Sequence, residues 1–116
     1  MENIDKVVDK VFARTKVLFI DVPFASILNF DVKSGTDYIC RSITANCTIN
    51  IINSEDGDSG VLELIMDSTG DYTITFGAMF TKRISEEFDN TASADNFVSW
   101  QKIGNDIIYS ISTVQS

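Results

Sequence analysis

Apolar and polar side chains alternate along much of this chain. Within the segment Ile27 to Val32, Leu28 and Phe30 fall on one face. Asn29 and Asp31 fall on the other face. A period of two is typical of a β-strand with one buried face. The same pattern, with runs of β-branched and aromatic residues, predicts about eight strands, at 16–22, 27–32, 37–44, 47–53, 61–66, 72–76, 97–100 and 107–113.

Turn-forming residues separate these segments. Glycine, asparagine and aspartate, which reverse a chain readily, occur at Asp67 to Asp71 and at Gly104-Asn105-Asp106. Short strands with frequent turns and no helix between them predict an all-β protein, a jelly-roll-like antiparallel β-sandwich. The longest irregular segment, Met79 to Asp95, is acidic at its centre and is expected to form an exposed excursion at one end of the sandwich.

The first residues follow a helical rather than a strand pattern. Apolar side chains recur at helical spacing, at Ile4, Val7, Val8, Val11 and Phe12. The pattern predicts a short amphipathic helix, which docks either on its own sheet or on a neighbouring subunit. A strand is the alternative, because three of these residues are valines. The chain is therefore divided into an N-terminal helix or assembly arm at 1–15 and a β-sandwich domain at 16–116.

Length and charge restrict the class of protein. The chain has 116 residues, which corresponds to one domain, and its net charge is −8. An acidic chain lacks the basic surface that a phosphate backbone requires, so no nucleic-acid partner is expected. The apolar runs are short and interrupted by charge, so no membrane partner, and no signal peptide, is expected either.

The chemistry of the side chains argues against an enzyme. The chain contains no histidine, the commonest general base and metal ligand. The carboxylate pairs that remain, Asp56 with Asp58 and Glu86 with Glu87, are predicted in surface turns. The turn Glu55 to Gly60 concentrates oxygen ligands suited to calcium, but it lacks the register of an EF-hand and is interpreted as a polar turn. No catalytic residue, metal or cofactor is expected.

The two cysteines are too few for a disulfide framework. Cys40 and Cys47 lie in predicted strands, where they suit small buried positions. A cross-strand disulfide is the alternative, but free thiols are expected.

Two aromatic residues lie in the acidic excursion. Phe80 and Phe88 are apolar rings that need a partner to cover them, which favours a contact with another subunit or with a capsid.

The order of strands and turns resembles that of small β-sandwich domains in bacteriophage virion proteins, of the head fibre, decoration, tail fibre and receptor-binding types. The similarity extends from Ile27 to Val114. It rests on Thr44 to Ile49, Ser59-Gly60 leading into Val61 to Leu64, Asp67 to Gly77, Thr91 to Trp100 and Gly104 to Tyr109. The resemblance implies a virion component that is assembled in the host cytoplasm, commonly as a trimer. It brings no catalytic residues.

These observations together predict a non-enzymatic virion structural protein, a small homotrimer that serves as a head fibre or capsid decoration component. Its partners would be further copies of itself and other virion proteins such as capsid or fibre subunits. The alternatives are a receptor-binding or glycan-binding tail fibre module and a tail or neck adaptor. The predicted assembly interface consists of Val8, Val11, Phe12, Phe80 and Phe88.

Overall fold

Nine strands make up the regular structure of the part of the chain that is described. The computed structural model describes residues 19–33, 36–84 and 87–114, and these ranges contain no helix. The strands are β1 Phe19–Asp21, β2 Ile27–Asp31, β3 Asp37–Ile43, β4 Cys47–Ile52, β5 Ser59–Met66, β6 Ile74–Phe76, β7 Phe80–Arg83, β8 Asp95–Ile103 and β9 Asp106–Val114. The predicted N-terminal helix, with Val8, Val11 and Phe12, lies outside the described residues.

The strands form two sheets that share one core. The larger sheet has the order β1-β3-β5-β8-β9-β7, and the smaller has the order β2-β4-β6. The first six strands alternate between the sheets, so the chain winds through three coils of about 20 residues, each with one strand in either sheet. This is the winding of a short parallel β-solenoid.

Most neighbouring strands in the described ranges are parallel. Five of the seven strand pairs are parallel, and only β5 with β8 and β8 with β9 are antiparallel. The all-β class and the two packed sheets agree with the sequence prediction. The antiparallel jelly-roll topology is not confirmed, because each of β1 to β4 pairs in parallel with the strand two places further along the chain, whereas a jelly roll pairs its strands antiparallel.

The hairpin of β8 and β9 continues the larger sheet beyond the three coils. β8 runs antiparallel to β5, and β9 runs antiparallel to β8, in the same direction as β5. β7, which follows the third coil in sequence, pairs with the far side of β9. The hairpin therefore lies between two strands of the parallel winding.

The core lies between the inner faces of the two sheets. As the alternation predicts, Leu28 and Phe30 are almost fully buried, while Asn29 and Asp31 are exposed. The largest buried contributions from the other strands are Ile43, Ile49, Leu62, Leu64, Met66, Val98 and Ile107. Apolar burial on this scale supplies most of the driving force for folding.

Each of the eight predicted strands has a counterpart, with ends that differ by a few residues. The ninth strand, β7, lies in the segment Met79 to Asp95 that was expected to be an exposed excursion. In this segment Phe80 and Ala94 are buried and Phe88 is half-buried. The expectation of a wholly exposed excursion is therefore wrong, because part of it covers the core.

Candidate functional site

Among the described strands, β1 and β2 lie at the edges of their sheets, so the first coil has no strand neighbour on one side of each sheet. The Thr48 amide donates to the Ser26 carbonyl at 2.9 Å, and the Val32 amide donates to the Ile52 carbonyl at 3.1 Å. In a parallel pair only alternate residues bond to the partner strand. The backbone groups of Ile27, Asn29 and Asp31 therefore face away from β4.

Each of the two edge strands also carries one large exposed apolar side chain. Ile20 on β1 is 51% exposed, and Ile27 on β2 is 60% exposed. Free edge groups beside exposed isoleucines form a template on which another polypeptide can pair and bury apolar surface. We call this surface, made of β1 and β2 with Ile20 and Ile27, the open edge.

Side-chain hydrogen bonds between β2 and β4 keep the open edge in register. The Asn50 side-chain amide donates to Asn29 Oδ1 at 3.1 Å. The side-chain amide of Asn53, directly after β4, donates to Asp31 Oδ1 at 2.9 Å. Gly77, directly after β6, donates its backbone amide to the Ile49 carbonyl at 2.8 Å, and a Cβ atom at Gly77 would collide with Asn50 Oδ1. These bonds lie on the exposed face and hold the edge strand in one register.

The sequence-predicted interface residues Phe80 and Phe88 find partners within the chain. Phe76, Phe80 and Tyr109 have ring centroids 5.1 Å apart in each pair. Phe88 lies edge-on to Phe76 at 6.0 Å. These aromatic contacts stabilise the end of the core near β6 and β9. Phe80 is only 9% exposed, so it offers little surface to another subunit.

The segment that carries Phe88 is held down by a buried asparagine. Asn96 on β8 is fully buried. Its Oδ1 accepts the Asp89 amide at 3.0 Å and the Thr113 hydroxyl at 3.0 Å, and its side-chain amide donates to the Asp89 carbonyl at 2.8 Å. A buried polar side chain with these partners fixes the segment over the core.

A second unusual group is a carboxyl pair on the outer face of the larger sheet. Glu63 alternates with Leu62 and Leu64, which point into the core, so its side chain points outward. It is nevertheless only 7% exposed. The neighbouring Asp95 is close enough for a side-chain hydrogen bond with Glu63. Burial, followed by the hydrogen bond with Asp95 and the charge of Asp95, raises the pKa of Glu63 to about 8.

The positive charge that acts on Glu63 already has a carboxylate partner. Arg41 on β3 lowers the pKa of Glu63, but more weakly than burial and Asp95 raise it. Its Nε donates to Asp21 Oδ1 at 2.6 Å, and both side chains are about two-thirds exposed. An exposed ion pair of this kind contributes little to stability. Arg41 therefore does not neutralise the carboxyl pair.

A shallow groove of about 490 Å³ crosses the larger sheet where β5 begins and β8 ends. Its polar lining comes from Ser59, Ser99, Gln101 and Ser110. Among the described aromatic residues, Trp100, Tyr109 and Tyr38 are each less than 10% exposed. Their rings therefore do not form the exposed platform on which a glycan would stack.

The carboxylates of the polar turn before β5 accept backbone amides, one from the same turn and one from the turn between β8 and β9. Asp58 Oδ2 accepts the Glu55 amide at 2.8 Å, and Asp56 Oδ1 accepts the Gly104 amide at 2.8 Å. Within the ranges that the structure covers, no three acidic, cysteine or histidine side chains come together as metal ligands. Over the same ranges no helix is long and apolar enough to cross a membrane.

Both cysteines are buried and unbonded, in agreement with the expectation of free thiols. Burial raises the pKa of Cys40, and burial together with the charge of Cys40 raises the pKa of Cys47 to about 11. Since the thiolate is the reactive form, both thiols are poor nucleophiles at neutral pH.

Neither the open edge nor the carboxyl pair was predicted from the sequence. A signal for Glu63 was present, because its outward neighbours on β5, Val61 and Ile65, are themselves apolar. An acidic residue among apolar neighbours on both faces indicates a buried carboxyl group. Asp95 gave no such signal, since it contacts Glu63 only through the pairing of β5 with β8.

No protein-family model, curated protein or solved structure matches this chain.

Proposed function

We propose that this chain is a non-enzymatic structural protein of a bacteriophage particle, which acts as a homo-oligomer in a head fibre or capsid decoration. The strand and turn order that resembles small virion domains supports the particle assignment. The open edge supports assembly, and it is the observation that carries the proposal. Its backbone groups and isoleucines are suited to a protein partner.

The partner proposed for the open edge is a second copy of the same chain. In a cyclic trimer each copy supplies the same surfaces, so that one weak contact is repeated three times. β1 and β2 have three and five residues, too few for a stable interface by themselves. The predicted arm residues Val8, Val11 and Phe12 precede β1 in the sequence and are proposed to add apolar contact area.

The substitution Ile27→Asp tests this proposal. Ile27 is 60% exposed, so an aspartate there should change the stability of the single chain by less than about 1 kcal/mol. At a subunit contact the buried charge would prevent association. Light scattering should therefore give the mass of one chain for the variant and of a multimer for the wild type. Purified phage particles should contain less of the variant.

A matched control is Ile103→Asp. Ile103 is 49% exposed and lies at the end of β8, away from the open edge. It should leave the multimer intact. If Ile27→Asp assembles as the wild type does, or if both variants dissociate to the same extent, the open edge is not the contact.

A further inference from the structure

The carboxyl pair of Glu63 and Asp95 contains a polar atom whose hydrogen bonding is incomplete. Oδ1 of Asp95 is buried and has no hydrogen-bond partner among the described residues. Two ionised carboxylates are both acceptors and cannot bond to each other. A buried acceptor without a donor is rare in folded proteins and calls for a physical explanation.

A proton is the simplest species that satisfies both groups. We propose that Glu63 and Asp95 share one proton in the folded protein, and that this proton fastens the hairpin of β8 and β9 to the parallel coils. The proton resides mainly on Glu63, which donates to Asp95. Two carboxyl groups that share a site cannot both ionise without repulsion, so the proton is retained at a pH where an exposed glutamate would have lost it.

The position of the pair explains why its protonation matters for the fold. Asp95 is opposite Ile65, and Glu63 is opposite Phe97, along the junction of β5 with β8. This junction joins the parallel coils to the antiparallel hairpin. When the proton is lost, two negative charges face each other across it in a poorly solvated position, and the junction weakens.

The charged groups around the pair favour a proton over a metal ion. From β3 the facing charge is Arg41, from β1 it is Asp21, and from β8 it is Asp95 itself. The outward positions of β9 next to β8, Ser112 and Val114, are uncharged. A calcium ion takes six to eight oxygen ligands. Two carboxyl groups beside a guanidinium supply too few ligands.

The sign of the pH dependence follows from the raised pKa. The ordinary pKa of glutamate, 4.5, applies to the unfolded chain, whereas Glu63 in the folded chain titrates near pH 8. The folded state therefore binds more protons between these values. The contribution of the pair to stability is complete below about pH 4.5, falls as the pH rises, and is lost above about pH 8.

The test compares thermal unfolding of the wild type and Glu63→Gln between pH 5 and pH 9. Glutamine copies the protonated acid, since its amide donates to Asp95 at every pH. The midpoints should agree within about 2 °C at pH 5, and the variant should unfold at least about 5 °C higher than the wild type at pH 9. Glu55→Gln, at an exposed glutamate, is the control and should follow the wild type.

A carbon NMR titration of the Glu63 carboxyl group in the wild type provides a second measurement that needs no variant. Titration near pH 8 supports the shared proton, and titration near pH 4.5 overturns it. Glu63→Gln with the same pH dependence as the wild type also overturns it. Stabilisation of the wild type, but not of Glu63→Gln, by calcium or magnesium chloride at pH 9 would overturn it as well, and would indicate that the two carboxyl groups bind a cation.

Discussion

At the scale of single residues, the positive φ angles of two glycines have different consequences. Gly70 has a φ of 67° and Gly104 has a φ of 62°, a region that costs other residues about 1–2 kcal/mol. A Cβ atom on Gly70 would collide with the backbone of Ala92. A Cβ atom on Gly104 would meet nothing within 4 Å. The turn at Gly70 therefore depends on glycine for close approach as well as for conformation.

Alanine at each position should separate these two effects. Gly104→Ala should lower the free energy of unfolding by about 1 kcal/mol, the cost of the backbone conformation. Gly70→Ala should lower it by at least about 3 kcal/mol, because backbone atoms at Ala92 must also move. Denaturant unfolding measures both values. Equal losses for the two variants would contradict the contact between Gly70 and Ala92.

The same turn is anchored by a carboxylate. Asp67 Oδ1 accepts the amides of Thr69 and Gly70 at 2.9 Å, and Oδ2 accepts the Tyr72 hydroxyl at 2.9 Å. The hydrogen bond from Gly70 is the main cause that lowers the pKa of Asp67. The ionised Asp67 carboxylate therefore stabilises the folded chain at neutral pH. This stabilisation is lost only in acid, as the pH falls through the lowered pKa of Asp67.

At the scale of elements, Asn96 joins the hairpin to the segment 87–94. Asn96→Ala would remove three hydrogen bonds, including both of those to the backbone of Asp89. The loss in unfolding free energy should be about 3 kcal/mol, since part-buried backbone groups are left without these partners. Hydrogen exchange at the Asp89 amide should accelerate more than exchange in β3 and β5.

Asn105→Ala is the control for this prediction. Asn105 is exposed in the turn between β8 and β9, and its substitution should leave exchange at Asp89 unchanged. If Asn96→Ala leaves the Asp89 amide protected as in the wild type, the segment is held by other contacts.

The positions of the strands could be predicted from the sequence, but their direction could not. Alternation identifies which residues face inward, as at Leu28 and Phe30, and this holds for parallel and antiparallel sheets alike. A signal for parallel pairing was present in Val61 to Met66, where apolar residues are nearly continuous. The short turns were interpreted as hairpins, whereas most of them carry the chain to the other sheet.

The sequence pattern could not predict β7 or the contacts among the aromatic rings of Phe76, Phe80, Phe88 and Tyr109. Phe80 is the only inward apolar residue of a four-residue strand, and its partner β9 lies more than twenty residues further along the chain. Charges in the same segment resemble those of a surface loop. The contacts among Phe76, Phe88 and Tyr109 depend on the same long-range pairing.

At the scale of the whole molecule, the hairpin of β8 and β9 and the open edge lie on opposite sides of the parallel coils. The hairpin of β8 and β9 extends the sheet on one side, and its attachment is proposed to depend on the proton shared by Glu63 and Asp95. On the other side, the larger sheet ends at β1, which forms the open edge together with β2 of the smaller sheet. We propose that this side accepts another copy, so that stability and assembly are controlled at separate places.

We propose that the chain works as a homo-oligomer, and the solution mass of the purified wild-type chain is the decisive measurement. Light scattering would be recorded across a dilution series at neutral pH. We expect three times the mass of a single chain, retained on dilution until the subunits dissociate together. The mass of a single chain at every concentration would contradict it.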